Sequence, residues 1–544
     1  VRIHPVNHDI LYVTDVWGGV HKSVDGGKTW VQKNNGITVR TGPSGDAIPV
    51  FCLTINQKNP DLMWCGLQGY KAIYKSTDGG EHWVEKSNGI PNLCNITFRS
   101  FTFDPNNPDI VYAGCEVPNC NFKPTENQIN ESTGKIFKTV DGGEHWFEVL
   151  NSNALVRWIL INPRDTNILY AATGIFDRGA KKEEGIWKTT DGGKTWFHIN
   201  EGLENLTVGG LDMDPKNPDI LYCAVGRNDG FGSSFEAFGG VLKSEDAGKT
   251  WKKALCWTNG EVRMRVVNIA PSDSNRIYAA TDNRFFRSDD GGKTWVETRS
   301  SPSGEFSGIP VAMAIHPDNP DIVYFNSYNG GVYKTEDGGK TWVAASKGYT
   351  GAQMYSLSIL GTSSSQIFTA GRSGVFKSST FGFEWEGLLY GSLEDRAGLN
   401  AVSVNMKNPE SILTSENHRG SIFKTDNRGK SWRFVVRETD FPLVRFQYPL
   451  NLHGVKKFAR ATTEPNIVYA GYRKATESES AKIKSFGIYK SEDDGETWQP
   501  VNNGLENTDM NVNDIAVHPS NPDIAYAVFN QGGIYKTIDG GKSW

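Results

Sequence analysis

The chain has 544 residues and a formal net charge of −5, from 57 Lys+Arg against 62 Asp+Glu. That length exceeds what one hydrophobic core usually supports, so several domains or a repeat array is expected. The even mixture of both charges excludes the basic face that nucleic-acid binding requires, and no run of 18 apolar residues is present to cross a bilayer as a helix.

The first stretch, VRIHPVNHDILYVTDVWGGVHKSVDGGKTW (1–30), contains a complete pattern that the last stretch, IAVHPSNPDIAYAVFNQGGIYKTIDGGKSW (515–544), nearly repeats. Between them the tryptophan that closes the pattern recurs at Trp30, Trp83, Trp146, Trp196, Trp251, Trp295, Trp342, Trp385, Trp432, Trp498 and Trp544, about 51 residues apart on average. Each unit reads as four short strands, a to d. In one clear copy, VAMAIHP (311–317) is strand a, the turn HPDNPDI (316–322) leads to strand b in IVYFNS, GGVYKTE (330–336) is strand c, and DGGKTW (337–342) turns into strand d. Runs of Val, Ile, Tyr and Phe bounded by Pro, Asn, Asp and Gly are strand and hairpin signals, and helical periodicity is absent. Four-stranded antiparallel units at this period predict an all-β chain of β-propeller blades.

Each residue of KSVDGGKTW (22–30) has a mechanical use. Glycine supplies positive φ, the aspartate accepts hydrogen bonds from its own turn, and the tryptophan wedges between sheets. Nine copies keep the aspartate, at Asp25, Asp78, Asp141, Asp191, Asp246, Asp290, Asp337, Asp493 and Asp539, whereas Thr380 and Asn427 replace it in two. A residue repeated so often reads as structure, not as a catalytic acid.

With strands running outward a to d, the a–b and c–d turns share one face and the b–c and d–a loops the other. The long excursions are 39–48, 115–134, 174–185, 226–239, 436–456 and 472–486, all b–c or d–a loops. Recognition is therefore expected on the loop face. Its aromatics are Trp17, Tyr70, Phe176, Phe231, Phe235, Trp257, Phe446 and Tyr448, of which Trp17, Tyr70, Phe231, Phe235, Trp257 and Tyr448 are the candidate ligand contacts. Rings interleaved with carboxylates suit sugars. Among the seven cysteines, Cys52, Cys65 and Cys223 read as buried strand residues, and Cys115 and Cys120 share a loop that would let them pair. No zinc spacing, nucleotide loop or nucleophile elbow occurs, so no metal and no cofactor is expected. Sequons at Asn95, Asn130 and Asn205 fit an extracellular or cell-surface protein.

The S-x-D-x-G-x-T-W turns resemble the Asp-box, or bacterial neuraminidase repeat, of sialidases, sortilin-type receptors, photosystem assembly factors and family 74 glycoside hydrolases. The resemblance implies either two propellers or one ten-bladed ring. We read two: a first over residues 1–350 with about seven blades, and further blades of a second, C-terminally incomplete, over 351–544, since both ends fall inside repeat units. Family 74 enzymes cleave β-1,4-glucans such as xyloglucan in a cleft between two seven-bladed propellers, using two aspartates. Asp15, in DILYVTDVWGGVHKS (9–23), resembles the opening blade of that family. The other family aspartate would fall in IPVFCLTIN (48–56), where this chain has Phe51, with Asp46 as a weaker stand-in. The expectation is thus a non-catalytic scaffold for a glycan or protein partner, with a family 74-like endo-glucanase as the alternative. For a sialidase, Arg2 reads as incidental to the repeat, and no trio of arginines stands out as a carboxylate clamp.

Overall fold

A computed structural model describes residues 1–41, 47–119, 131–174, 179–180, 183–226, 239–257, 264–281, 284–298, 310–327, 331–345, 354–360, 366–371, 374–381, 385–390, 399–416, 420–437, 453–474 and 486–544. Among these residues there is no helix, and the strands form eleven antiparallel sheets taken in chain order, here called blades 1 to 11. Blade 1 is typical: Arg2–Ile3, Leu11–Asp15, Gly19–Ser23 and Val31–Gln32 pair each with the next. Two blades depart from four strands. In blade 3 the pair Gly179–Ala180, from the b–c connection of blade 4, runs parallel to Glu131–Ser132, and blade 11 has three strands, Val512–His518, Asn521–Phe529 and Gly533–Thr537.

Burial falls off toward the outer strand of a blade that has neighbours on both sides. Strand b of blade 2, Met63–Leu67, is buried at every position, whereas strand d, Val84–Glu85, is exposed at both. A blade sandwiched between two neighbours buries both faces of its middle strands, which is why strand b reads as a continuous apolar run instead of an alternation. The cores accordingly lie between blades: Tyr12, Val50, Leu53, Met63 and Trp83 join blades 1 and 2, and Tyr170, Leu211, Leu221 and Trp251 join blades 4 and 5.

The c–d turns share one hydrogen-bond scheme. The Ser23 hydroxyl donates to Asp25 Oδ1 at 2.8 Å and accepts from the Gly27 amide at 2.9 Å, while Asp25 accepts from the Thr29 amide at 2.9 Å and hydroxyl at 2.6 Å. Asp78, Asp141, Asp191, Asp246, Asp290, Asp337, Asp493 and Asp539 accept equivalent bonds, with a histidine ring in place of the threonine hydroxyl at His82 and His145. Asn427 serves the same turn, accepting the Ser431 amide at 2.9 Å. The turn needs left-handed backbone, and at Gly143, φ 95°, a Cβ would stand 2.2 Å from the Trp64 ring. Ala247, Arg428 and Asp494 adopt the same hand without glycine, at φ 59°, 58° and 61°.

These turns then join one blade to the next. Trp83, Trp146 and Trp251 donate their indole N–H to the carbonyls of Lys33, Lys86 and Ile199 in the preceding blade, and each is at most 4% exposed. From the other side, strand b tyrosines and strand c lysines reach forward. Tyr112 Oη and Lys138 Nζ both donate to the Gly192 carbonyl, at 2.9 and 2.8 Å, and the lysine lies over the tyrosine ring. Tyr12 and Lys22 do the same to Gly79, and Tyr170 and Lys188 to Ala247. One turn therefore holds its own hairpin and is fastened twice to the preceding blade.

The chain divides into two compact units. The first comprises Val1–Ser301, Ile309–Tyr328 and Val332–Ala345, and the main body of the second is Ser346–Trp544. The first unit holds blades 1 to 7, and its ring closes: Trp30 donates to the Ala345 carbonyl at 2.7 Å and Tyr324 to that of Gly26 at 3.1 Å, the same contacts that link sequential blades. A ring that closes after seven blades excludes the single ten-bladed alternative. The second unit holds blades 8 to 11, whose cores run from Phe368, Leu399 and Trp432 through Val455 and Phe458 to Tyr469, Val512 and Ile515.

One sequence expectation is corrected here. Cys115 is a free thiol, fully buried in strand b of blade 3, and burial pushes its pKa up to about 12. Among the described residues, Cys94 is disulfide-bonded. Cys52, Cys65 and Cys223 are free and buried in strands.

Candidate functional site

A cavity of about 140 Å³ opens in the first unit among the inner strands. Its lining comes from the first residues of strand a in several blades, including Phe51, Arg99, Arg157 and Val311, and from the far end of strand b in others, Thr14 and Asn326. Those are the strand ends that feed the d–a and b–c connections, so the cavity lies at the end of the ring away from the aspartate turns. Arg2, Arg99, Arg157 and Arg265 are among its lining residues, and among the described lining residues there is no aspartate or glutamate.

The arginines are held individually. Arg99 donates through Nε to Glu116 Oε2 at 2.9 Å, with a second bond from Nη2 to the same oxygen, and its guanidinium carbon lies 4.8 Å from the centre of the Phe51 ring. Glu116 is 1% exposed and also accepts from the Ser132 hydroxyl at 3.0 Å, so this ion pair is anchored by further hydrogen bonds. Arg157 donates to the Val311 carbonyl at 3.3 Å and lies over the Trp158 ring. Arg2 donates to the Val1 carbonyl, and burial lowers its pKa from the usual guanidinium range. The register of separate inner strands brings these side chains to one space.

The sequence candidates distribute unevenly around it. Asp15 ends strand b of blade 1, and its Oδ1 accepts the amides of Trp17 and Gly18, at 2.7 and 3.0 Å, which fixes the b–c turn. Trp17 is half-buried in that turn, and its carbonyl accepts the Ile48 amide of blade 2. Tyr70, in the b–c turn of blade 2, is 38% exposed. Trp257 ends strand d of blade 5, but its side chain is outside the described residues, as are Asp46, Phe176, Phe231, Phe235, Phe446 and Tyr448. Phe51 lies in the cavity wall. The arginines were missed because each sits in a different repeat. Counting back six residues from the turn prolines Pro105, Pro163 and Pro271 reaches Arg99, Arg157 and Arg265, and that alignment was the available signal.

On the turn face, His8, His316 and Asp318 gather within 4.8 Å. His8 Nδ1 lies 3.0 Å from Asp318 Oδ2, and the two rings meet edge to face at 4.6 Å. His316 Nδ1 accepts the amides of Asp318 and Asn319, at 3.1 and 3.2 Å. A nitrogen with two donors pointed at it keeps its lone pair, so the neutral ring carries its proton on Nε2, the atom a metal would need. The group fastens blade 7 to blade 1 and lacks the donor set of a metal centre.

A closed, seven-bladed propeller unit with an arginine-lined cavity, followed in the chain by four more blades of the same design, is the class of protein these observations define. A sequence model described as Sortilin, neurotensin receptor 3, matches residues 239–374. The chain is similar to a probable oligoxyloglucan-reducing end-specific xyloglucanase of Neosartorya fischeri, 28% identical in a match 238 residues long that covers 37% of this chain and 26% of the relative. The match thus spans about a quarter of that relative's length. Among solved structures, an ancestral family 74 glycoside hydrolase superposes with a TM-score of 0.59, at 14% identity, over 99% of this chain and 75% of the other. A family 74 xyloglucanase from Xanthomonas campestris gives 0.44 at 13% identity, over 98% and 97%. The first of these likenesses shows the fold: a multi-bladed β-propeller resembling those of family 74.

Proposed function

We propose that the protein is a glycan-directed propeller acting on β-1,4-glucans of the xyloglucan class. The observation that carries this reading is the 28% sequence likeness to a xyloglucanase, and the propeller fold shared with a family 74 enzyme supports it. On this reading residues 1–350 form a first propeller and 351–544 belong to a second, the Asp-box turns are scaffold, and the glycan lies at the loop end, where Trp17 and Tyr70 are the described aromatic contacts. Hydrolysis needs two carboxyls about 5 to 10 Å apart across the scissile bond, a role that falls to Asp15 and Asp46. An extracellular or cell-surface location accords with the disulfide at Cys94, since such bonds persist in oxidising compartments.

One observation favours a second reading, a non-catalytic binding protein for a glycan or protein partner. Phe51 stands at the register where the family 74 resemblance places an acid, and it faces the Arg99 guanidinium. Reducing-sugar release from xyloglucan, measured beside electrophoretic retardation in xyloglucan gels, separates the two. Release abolished by Asp15→Asn supports the hydrolase, retardation without release supports the binding protein, and neither effect contradicts both.

A further inference from the structure

The seams between blades bury a recurring set of positions. On the side that meets the following blade, the strand c residue at the register of Val20, Ile136 and Ile488 is buried, and so is the strand b tyrosine at the register of Tyr12, Tyr112 and Tyr469. On the side that meets the preceding blade, strand a supplies two residues, Leu53 and Ile55 in blade 2 or Val402 and Val404 in blade 9, each at most 5% exposed. The second unit bares both sets at its ends. At the register of Val20, Ile534 of blade 11 is 73% exposed, and at that of Tyr12, Tyr526 is 43% exposed. At the register of Leu53 and Ile55, Leu357 and Ile359 of blade 8 are 56% and 46% exposed. Exposed apolar residues grouped in this way mark an association surface, and these two faces are the complementary halves of one seam.

The polar half of the seam is in place as well. Lys536 lies over the Tyr526 ring at 5.6 Å, as Lys138 lies over Tyr112 at 5.0 Å, but among the described residues no turn carbonyl receives them in the way that Gly192 receives Tyr112 and Lys138. In blade 8 that turn position holds Phe381, with left-handed backbone at φ 55° and an exposed side chain. A side chain at this position leaves the carbonyl usable, since Ala247, at φ 59°, accepts from both Tyr170 and Lys188. The first unit meets its own beginning after seven blades, whereas blades 8 to 11 leave both end faces open. Two copies of those four blades, joined trailing face to leading face twice over, make eight, within the range of about four to eight blades that closed propellers use. Both faces of both copies are then covered, and the assembly closes instead of growing as a filament.

We propose that blades 8 to 11 of two copies of this chain associate head to tail, the blade 11 face of each seated on the blade 8 face of the other, with Tyr526 and Lys536 donating to the Phe381 carbonyl across each seam. This goes beyond the glycan-directed reading and does not depend on it. Sedimentation velocity of the whole chain across a concentration series tests it, and a species of twice the chain mass is expected. Ile534→Asp and Leu357→Asp each place an unpaired charge in the seam and weaken the association about a hundredfold or more. Both residues are exposed in the single chain, so the substitutions leave its fold in place. Mixed in equal amounts, the two variants recover a weaker two-copy species, because the trailing face of one and the leading face of the other are still intact. That recovery also shows that both variants are folded. A single-copy mass at every concentration overturns the proposal and leaves both faces to other blades of this design. A mass that keeps growing overturns the closed pair, and a two-copy species unchanged by both substitutions overturns the assigned faces.

Discussion

The hydroxyl of Tyr324 in blade 7 donates to the carbonyl of Gly26 in blade 1, at 3.1 Å and 298 residues away in sequence. The same bond links Tyr222 to Gly291 in consecutive blades, at 2.7 Å. Ring closure therefore uses the contact that propagates the array, and it costs no special latch. Tyr324→Phe is expected to lower the stability of the first unit by about 1 kcal/mol, the usual worth of one buried hydrogen bond. Trp30→Ala, which removes the indole bonded to Ala345 and its buried surface, costs about 3–5 kcal/mol. Urea unfolding of the whole chain checks both: an unfolding transition unchanged by Trp30→Ala would contradict the closing role.

The aspartate turns predict a pH dependence with a definite sign. Asp246 is held down to about 2 from 3.8 by the hydroxyl of Thr250, its amide and the Ser244 hydroxyl, against a small opposing effect of burial. Asp290 and Asp539 are held to about 2 in the same way. A carboxylate whose pKa is depressed on folding stabilises the fold above its unfolded pKa and loses that contribution as the pH falls through the folded one. Thermal stability is thus flat from neutral pH down to about 4 and declines between 4 and 2. Asp246→Asn, which removes the titrating group but can keep its acceptor, flattens that decline slightly in a melting series across this window.

Much of this was legible in the chain because the determinants repeat. Asp25 and Trp30 announce their roles by recurring, and the excursions of the b–c and d–a loops mark one face. The tyrosine of strand b and the lysine of strand c also recur, but the forward reach of Tyr112 and Lys138 to Gly192 was not legible, because its target lies in the next repeat and no spacing within one repeat reveals it. The arginine cavity was hidden for the opposite reason: Arg99, Arg157 and Arg265 depart from the repeat average, and only the inward direction of strand a brings them together. Cys115 was misread because Cys120 is near it in sequence, whereas the strand turns the Cys115 side chain into the core.

The sequons separate by geometry. Asn205 is 7% exposed, donates its amide to the Gly226 carbonyl at 2.9 Å and accepts the Thr207 amide at 2.8 Å, so its side chain is held inside the fold. Asn95 is exposed, at φ 48°. Expression through a secretory pathway followed by peptide mapping is expected to find glycan on Asn95 and none on Asn205.

The Cys94 disulfide predicts sensitivity to reduction. Removing a native disulfide typically costs about 2–5 kcal/mol, so dithiothreitol lowers the melting temperature, whereas Cys115→Ser in the absence of reductant acts only through its buried site. A melt unaffected by reductant would contradict a stabilising bond at Cys94.

The central claim is that the aspartate turns hold blades together while recognition lies at the other end of the inner strands. Hydrogen–deuterium exchange of the whole chain with and without xyloglucan oligosaccharide tests it most directly. The account predicts slowed exchange in 15–19 and 68–73, the b–c connections of blades 1 and 2, with 25–30 and 78–83 unchanged; protection confined to those aspartate turns would contradict it.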